Sequence, residues 1–144
     1  SVGKNGLTTK KIEGDKKTPA GFFKIEHLYY REDKINLPKT DLKCIKIREK
    51  MGWCNDKNYP KKYNQLINVS DKIGHEKLFR EDHKYDLLIP IKFNYNKRIP
   101  GKGSCIFIHL TDNYQPTAGC VALKKKDFLI MLKLINKNTK IKIN

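Results

Sequence analysis

The chain has no apolar run approaching the ~20 residues that a membrane span needs. The longest apolar stretches, Leu87–Ile91 and Cys105–Leu110, are strand-length. No C-x-x-C pair occurs among Cys44, Cys54, Cys105 and Cys120, and no histidine pair follows at zinc-finger spacing. A structural zinc site is therefore not expected, and two disulfides, although arithmetically allowed, are not required of a chain this long. Internal repeats, low-complexity linkers and a signal-peptide pattern are also absent. Either the protein stays in the cytosol or a targeting segment has been removed. Acidic residues are scarce, with 15 Asp and Glu against 31 Lys and Arg, a formal net charge of +16. Such a field favours anionic partners. The lysines are scattered among Asn and Ile over nearly every segment, and no nucleic-acid motif appears, so nucleic acid is not expected as a partner.

At 144 residues the chain is expected to be one domain with one real core, residues 1–144. Turn formers crowd 3–6 and 13–21 and lead into a short strand at Phe22–Ile25. Leu42–Arg48 and Ser104–Leu110 read as strands, as does Tyr85–Phe93, where Pro90 suggests an edge or a bulge. Gly52–Lys62 reads as loop and Glu76–Arg80 as a short helical turn. Lys125-Lys126-Asp127-Phe128 opens a helix whose Phe128, Leu129, Leu132 and Ile135 follow helical spacing, with Asp127 as cap or dipole partner. Asn136–Thr139 is a turn and Lys140–Ile143 a last strand. The expected class is mainly β with one or two short helices.

Cys120 follows His109 by eleven residues, and the loop Thr111–Thr117 can fold back to bring the two together. A thiol needs a base or a positive neighbour to become nucleophilic, and imidazole is the usual one. Strand alternation places Cys105, Phe107 and His109 on one face and Ile106, Ile108 and Leu110 on the other. The second face is apolar, which leaves His109 free to line a cleft. Ala118 and Gly119 leave the backbone open, so that amides near Cys120 can meet a developing oxyanion. A buried cysteine beside small residues is nevertheless more often packing than chemistry.

The wider pattern carries more. His109 and Thr117-Ala118-Gly119-Cys120 resemble the strand histidine and Ser/Thr-x-Gly-Cys motif of the YkuD-like L,D-transpeptidase family. Glu13-Gly14-Asp15-Lys16-Lys17-Thr18-Pro19-Ala20-Gly21 resembles its early E-G-D-x-x-T-P-x-G segment. Gly52-Trp53-Cys54-Asn55-Asp56, Tyr63-Asn64, His75–Arg80, Tyr85-Asp86 and Gly101-Lys102-Gly103-Ser104 look like markers of its T-x-G-C branch. Ala118 and Ala122 depart from the better-known branch, which has His and Arg there, so contacts of those residues are not carried over. Asn55 and Lys17 are minor departures.

The resemblance implies a YkuD-like β-sandwich or barrel-like domain and a peptidoglycan stem peptide as substrate. Cys120 would attack a carbonyl next to meso-diaminopimelate, and His109 would hold the thiolate as an ion pair. The Gly119 and Cys120 amides would form the oxyanion hole, and the Leu110 carbonyl would orient His109. The thioester would pass to an amine, giving 1→3 (L-Ala to diaminopimelate) or 3→3 crosslinks, with a lean towards the first. No metal or organic cofactor is implied; a carbapenem is an expected inhibitor, and the location is periplasmic or cell-envelope.

His75 and Arg80 are candidates for a substrate carboxylate, which Arg matches bidentately. Trp53, Tyr63 and Asn64 are candidates for the cleft wall, and Thr117 and Ala118 for substrate contact. His27 and His83 read as surface residues, and Cys44, Cys54 and Cys105 as structural or free thiols. Rival readings are an L,D-carboxypeptidase or amidase of the same fold, a non-catalytic basic wall-binding domain, and, more weakly, a cytosolic thiol protease.

Overall fold

The computed structural model describes residues 1–69 and 72–144. In chain order the elements are β1 (Leu7–Thr8), β2 (Thr18–Pro19), β3 (Gly21–Lys24), β4 (Leu28–Tyr30), β5 (Cys44–Lys46) and β6 (Met51–Cys54). They continue with β7 (Leu66–Asn68), β8 (His75–Lys77), β9 (Leu87–Pro90), β10 (Phe107–Leu110), β11 (Val121–Leu123), α1 (Lys125–Leu132) and β12 (Lys140–Ile143). The expected class holds: short strands in several sheets and one helix among the described residues.

A five-stranded mixed sheet, order β11-β10-β9-β4-β5, runs through the middle. β10 and β9 are buried at every position, so apolar side chains fill both sides of the sheet. On one side Ile106, Ile108 and Leu110 pack with Phe128 and Leu132 of α1. On the other, Phe107 meets Trp53 and Tyr85 edge-on, at ring-centroid distances of 5.4 and 5.9 Å. Burying a side chain such as Phe107 contributes roughly 2–3 kcal/mol. The alternation predicted for this strand is present, but the His109 face is closed over Phe107 and opens only near the histidine. The cover is a three-stranded antiparallel sheet, order β7-β6-β8.

Several expectations change. Met51–Cys54 is a strand, not part of a loop, and His75–Lys77 is a strand where a helical turn was expected. Both pair with their neighbours across the sheet, and pairing overrides weak local preference in segments this short. Pro90 ends β9, which lies centrally between β10 and β4, so the edge expected there is absent. A terminal proline costs its strand little, and its carbonyl still accepts from the Glu26 N–H at 2.9 Å. The strand predicted from Ser104 begins only at Phe107, because Cys105 sits in the left-handed region, φ 54°. Asp127 lies in the first turn of α1 and makes no cap. Its carboxylate accepts from the Tyr114 hydroxyl at 2.7 Å, leaving a dipole role.

Candidate active site

β10 and β11 pair in parallel, with Ile108 opposite Val121 and His109 opposite Ala122. One step back along that register, Cys120 stands beside Phe107, two positions from His109 on the same face. Its sulfur accepts the Phe107 N–H at 3.4 Å and donates its S–H to the Cys105 carbonyl at 3.2 Å. The left-handed turn at Cys105 is what aims that carbonyl at the thiol. Cys120 and His109 open into one cavity of about 360 Å³, which Thr117, Ala118, Gly119 and Arg80 also line. They are 9 % and 8 % exposed, so each shows the cavity only a small face.

The His109 Nδ1 lies 2.8 Å from the Leu110 carbonyl. A carbonyl can only accept, so Nδ1 carries the proton and Nε2 keeps its lone pair. Tyr85 meets the imidazole edge-on at 5.5 Å. Burial pushes the Cys120 thiol up to about 12, although the Phe107 N–H opposes it. Burial likewise holds the His109 imidazole below its ordinary 6.5. Desolvation favours the neutral form of both groups. The thiolate–imidazolium pair implied by the resemblance would therefore form against the desolvation of both groups.

The T-x-G-C stretch is held by its own threonine and by the N-terminal segment. The Thr117 hydroxyl donates to the Cys120 carbonyl at 2.7 Å and accepts from the Gly119 N–H at 3.0 Å. Thr18 donates to the same carbonyl at 3.2 Å and accepts from the Gly3 N–H at 2.8 Å. The backbone of Thr117 pairs with that of Val2 and Lys4, at 2.9 Å for each bond. Within the E-G-D segment, Glu13 accepts from the Tyr63 and Ser104 hydroxyls. Gly14 turns the chain at φ 78°, and the Asp15 carboxylate takes the N–H groups of Ile12 and Lys17. The segment therefore braces the loop that carries Cys120.

Gly119 is required by this packing. Its φ is 142°, and a Cβ there would stand 3.0 Å from the Lys17 carbonyl oxygen. Gly119→Ala is expected to cost about 1–3 kcal/mol through backbone strain and to lower the thermal midpoint by several degrees. An unchanged melting curve would show that the loop yields freely.

The remaining candidates divide. Arg80 reaches the cavity, but its guanidinium already grips Asp82 at 2.6 and 3.0 Å and Glu76 at 3.1 Å. Those carboxylates hold it firmly protonated. His75 lines a different depression beside Arg80, with Nδ1 2.6 Å from the Ile73 carbonyl. Trp53 and Asn64 line another depression with Tyr95 and are joined by an indole N–H to carboxamide bond of 2.9 Å. Tyr63 is fully buried and donates to Glu13. None of these last four lines the cavity of Cys120 and His109, although Tyr63 and Asn64 bond to its lining residues Glu13 and Cys105. Glu76, Tyr85, Cys105 and Lys11 do line it and were not singled out as site residues from sequence. Among so many lysines, only the position of Lys11 two residues before Glu13-Gly14-Asp15 set it apart. All four cysteines are free thiols.

The model of the YkuD L,D-transpeptidase catalytic domain matches residues 1–143. The chain belongs to the YkuD family. No curated protein and no solved structure matches it. Membership of the YkuD family implies L,D-transpeptidase chemistry on a peptidoglycan substrate. Among the described residues, no helix is long and apolar enough to cross a membrane.

Proposed function

We propose that this YkuD domain, residues 1–144, is a peptidoglycan L,D-transpeptidase with Cys120 as nucleophile and His109 as its base. One observation carries the reading: thiol and imidazole share one cavity while the Leu110 carbonyl fixes the imidazole with Nε2 unprotonated. As the sulfur attacks the carbonyl carbon next to diaminopimelate, its S–H turns from the Cys105 carbonyl to Nε2, which takes the proton as the C–S bond forms. The Cys120 N–H meets the oxyanion, and the Gly119 N–H joins it by exchanging the Thr117 hydroxyl for the new acceptor. Collapse breaks the C–N bond, and the imidazolium hands its proton to the departing amine. An acceptor amine then attacks the thioester and gives its proton to His109. The C–S bond breaks, and that proton returns to sulfur.

The acceptor is proposed to be the L-Ala amine of a second stem, a 1→3 link, with a 3→3 link as the other outcome. Thr117 and Ala118, at the cavity wall, are proposed substrate contacts. Arg80 is one too, once a substrate carboxylate displaces Asp82. The cell envelope is the proposed location, and no metal or organic cofactor enters the scheme.

Purified disaccharide-tetrapeptide is the donor and free tetrapeptide, whose L-Ala amine is not acylated by the muramyl lactate, is the acceptor, with products resolved by mass spectrometry. A crosslinked dimer whose fragments place the new bond at diaminopimelate supports the proposal. Tripeptide without dimer would make the protein a carboxypeptidase, and no product would leave a wall-binding module. A carbapenem is expected to add its mass at Cys120 alone.

A further inference from the structure

Lys11 is the strongest feature of the cavity that the scheme above leaves unused. Its side chain is 3 % exposed, rare for an unmodified lysine. The ammonium is held by the Asp15 carboxylate and by the Ile12 carbonyl at 3.1 Å. It lies 3.6 Å from the point where a Cβ on Gly119 would stand, beside the backbone that carries Cys120. Gly103, at φ 97°, makes room for the stem, since a Cβ there would stand 2.7 Å from Lys11 Cγ. A burial this deep, with a glycine cleared for the stem and an acid placed to fix the head, fits a charge kept for a purpose.

We propose that Lys11 is a positioning residue whose fixed positive charge stabilises the anion formed on Cys120 when the thiol gives up its proton. The proposal rests on Cys120 being the nucleophile. The Lys11 charge eases ionisation at the sulfur. Glu76 on β8 opposes it. Around the sulfur in the same cavity stand Glu13, Arg80, Lys84, Tyr85, Cys105 and His109; burial favours the neutral form of the last three, and Arg80 is engaged by Asp82 and Glu76. Lys11 is the deeply buried cation beside the Cys120 backbone, and against a low-dielectric wall its field is felt strongly there.

The test is the pH profile of Cys120 alkylation by iodoacetamide, followed by peptide mass spectrometry so that the other three thiols are counted separately. In Lys11→Met the profile is expected to shift towards alkali, with Cys120 reacting roughly tenfold more slowly at any pH on the rising limb. Lys11→Arg, which keeps the charge, is expected to restore most of the rate. Should Lys11→Met fold poorly because Asp15 is left unpaired, Lys11→Met with Asp15→Asn removes the orphaned charge, and the same shift is expected. A Lys11→Met profile superimposable on that of the parent, in a protein with the parent's near-ultraviolet circular dichroism, would overturn the proposal. Equal slowing in Lys11→Arg and Lys11→Met would do so too, since it would point to packing instead of charge. Alkylation reads the thiol and not turnover, so failure here is distinct from failure of the transpeptidase reading, which would appear as activity surviving loss of Cys120.

Discussion

Cys120→Ser yields a folded chain that forms no dimer and no tripeptide from disaccharide-tetrapeptide, a complete loss within the sensitivity of mass detection. Serine is the better replacement for physical reasons. The sulfur satisfies the buried Phe107 N–H on β10 and the part-buried Cys105 carbonyl just before that strand. Cys120→Ala strips both of their partner, at a cost of about 1–3 kcal/mol for each buried polar group left unmet. A dead alanine variant would then be ambiguous between lost chemistry and lost fold. Serine keeps a donor and acceptor at that point, yet its hydroxyl is a far weaker nucleophile than sulfur beside an imidazole with no carboxylate partner. Cys105, the other thiol on the cavity, does not replace it: burial drives its thiol well above the ordinary range, and its sulfur rests against the Trp53 carbonyl at 3.7 Å. Turnover surviving Cys120→Ser, with a melting curve like the parent's, would end the covalent mechanism.

The second large effect is at the base. His109→Asn is expected to lower the rate of thioester formation by roughly 10²–10⁴-fold, the usual worth of a positioned general base. Asparagine places an amide N–H near the position of Nδ1 and so can keep the bond to the Leu110 carbonyl while deleting Nε2. Acylation by a carbapenem, followed as mass increase against time, reads the step directly. A loss below tenfold would mean that the thiol ionises without the imidazole. The acid limb of the parent's profile follows from burial: His109 is held below 6.5, so the neutral base persists and the rate should fall only below that pH. Stability moves in the same direction. An imidazole harder to protonate in the native state than in the unfolded chain makes the unfolded chain bind more protons as pH drops. The native state therefore weakens on acidification through and below about 6.5.

What could be read in the sequence divides along physical lines. The His109 face and the Ile106, Ile108 and Leu110 face were legible because strand alternation is a local property. That Cys120 and His109 meet in one cavity was legible from the loop that joins their segments, and helix α1 was legible because its apolar spacing is regular. The strands at Met51–Cys54 and His75–Lys77 were not, since nothing local favours them; they exist because they pair with each other and with β7. The desolvation of the pair was hidden for the same reason: it depends on burial supplied by Tyr85 and Trp53 from distant segments as well as by Phe107 on β10. Arg80 looked like a ready carboxylate ligand, and only the fold reveals that Asp82, two residues on, already occupies its fork.

The hydroxyl of Thr18 reaches the carbonyl of Cys120 across 102 positions of chain. Closing so long a loop is entropically slow, and it brings no reward until β10 and β11 exist to receive it. A ribosome releasing this protein would finish the brace 102 positions before the cradle. Until that final closure the sulfur is an ordinary solvated thiol, so incomplete chains carry the reagent without the enzyme.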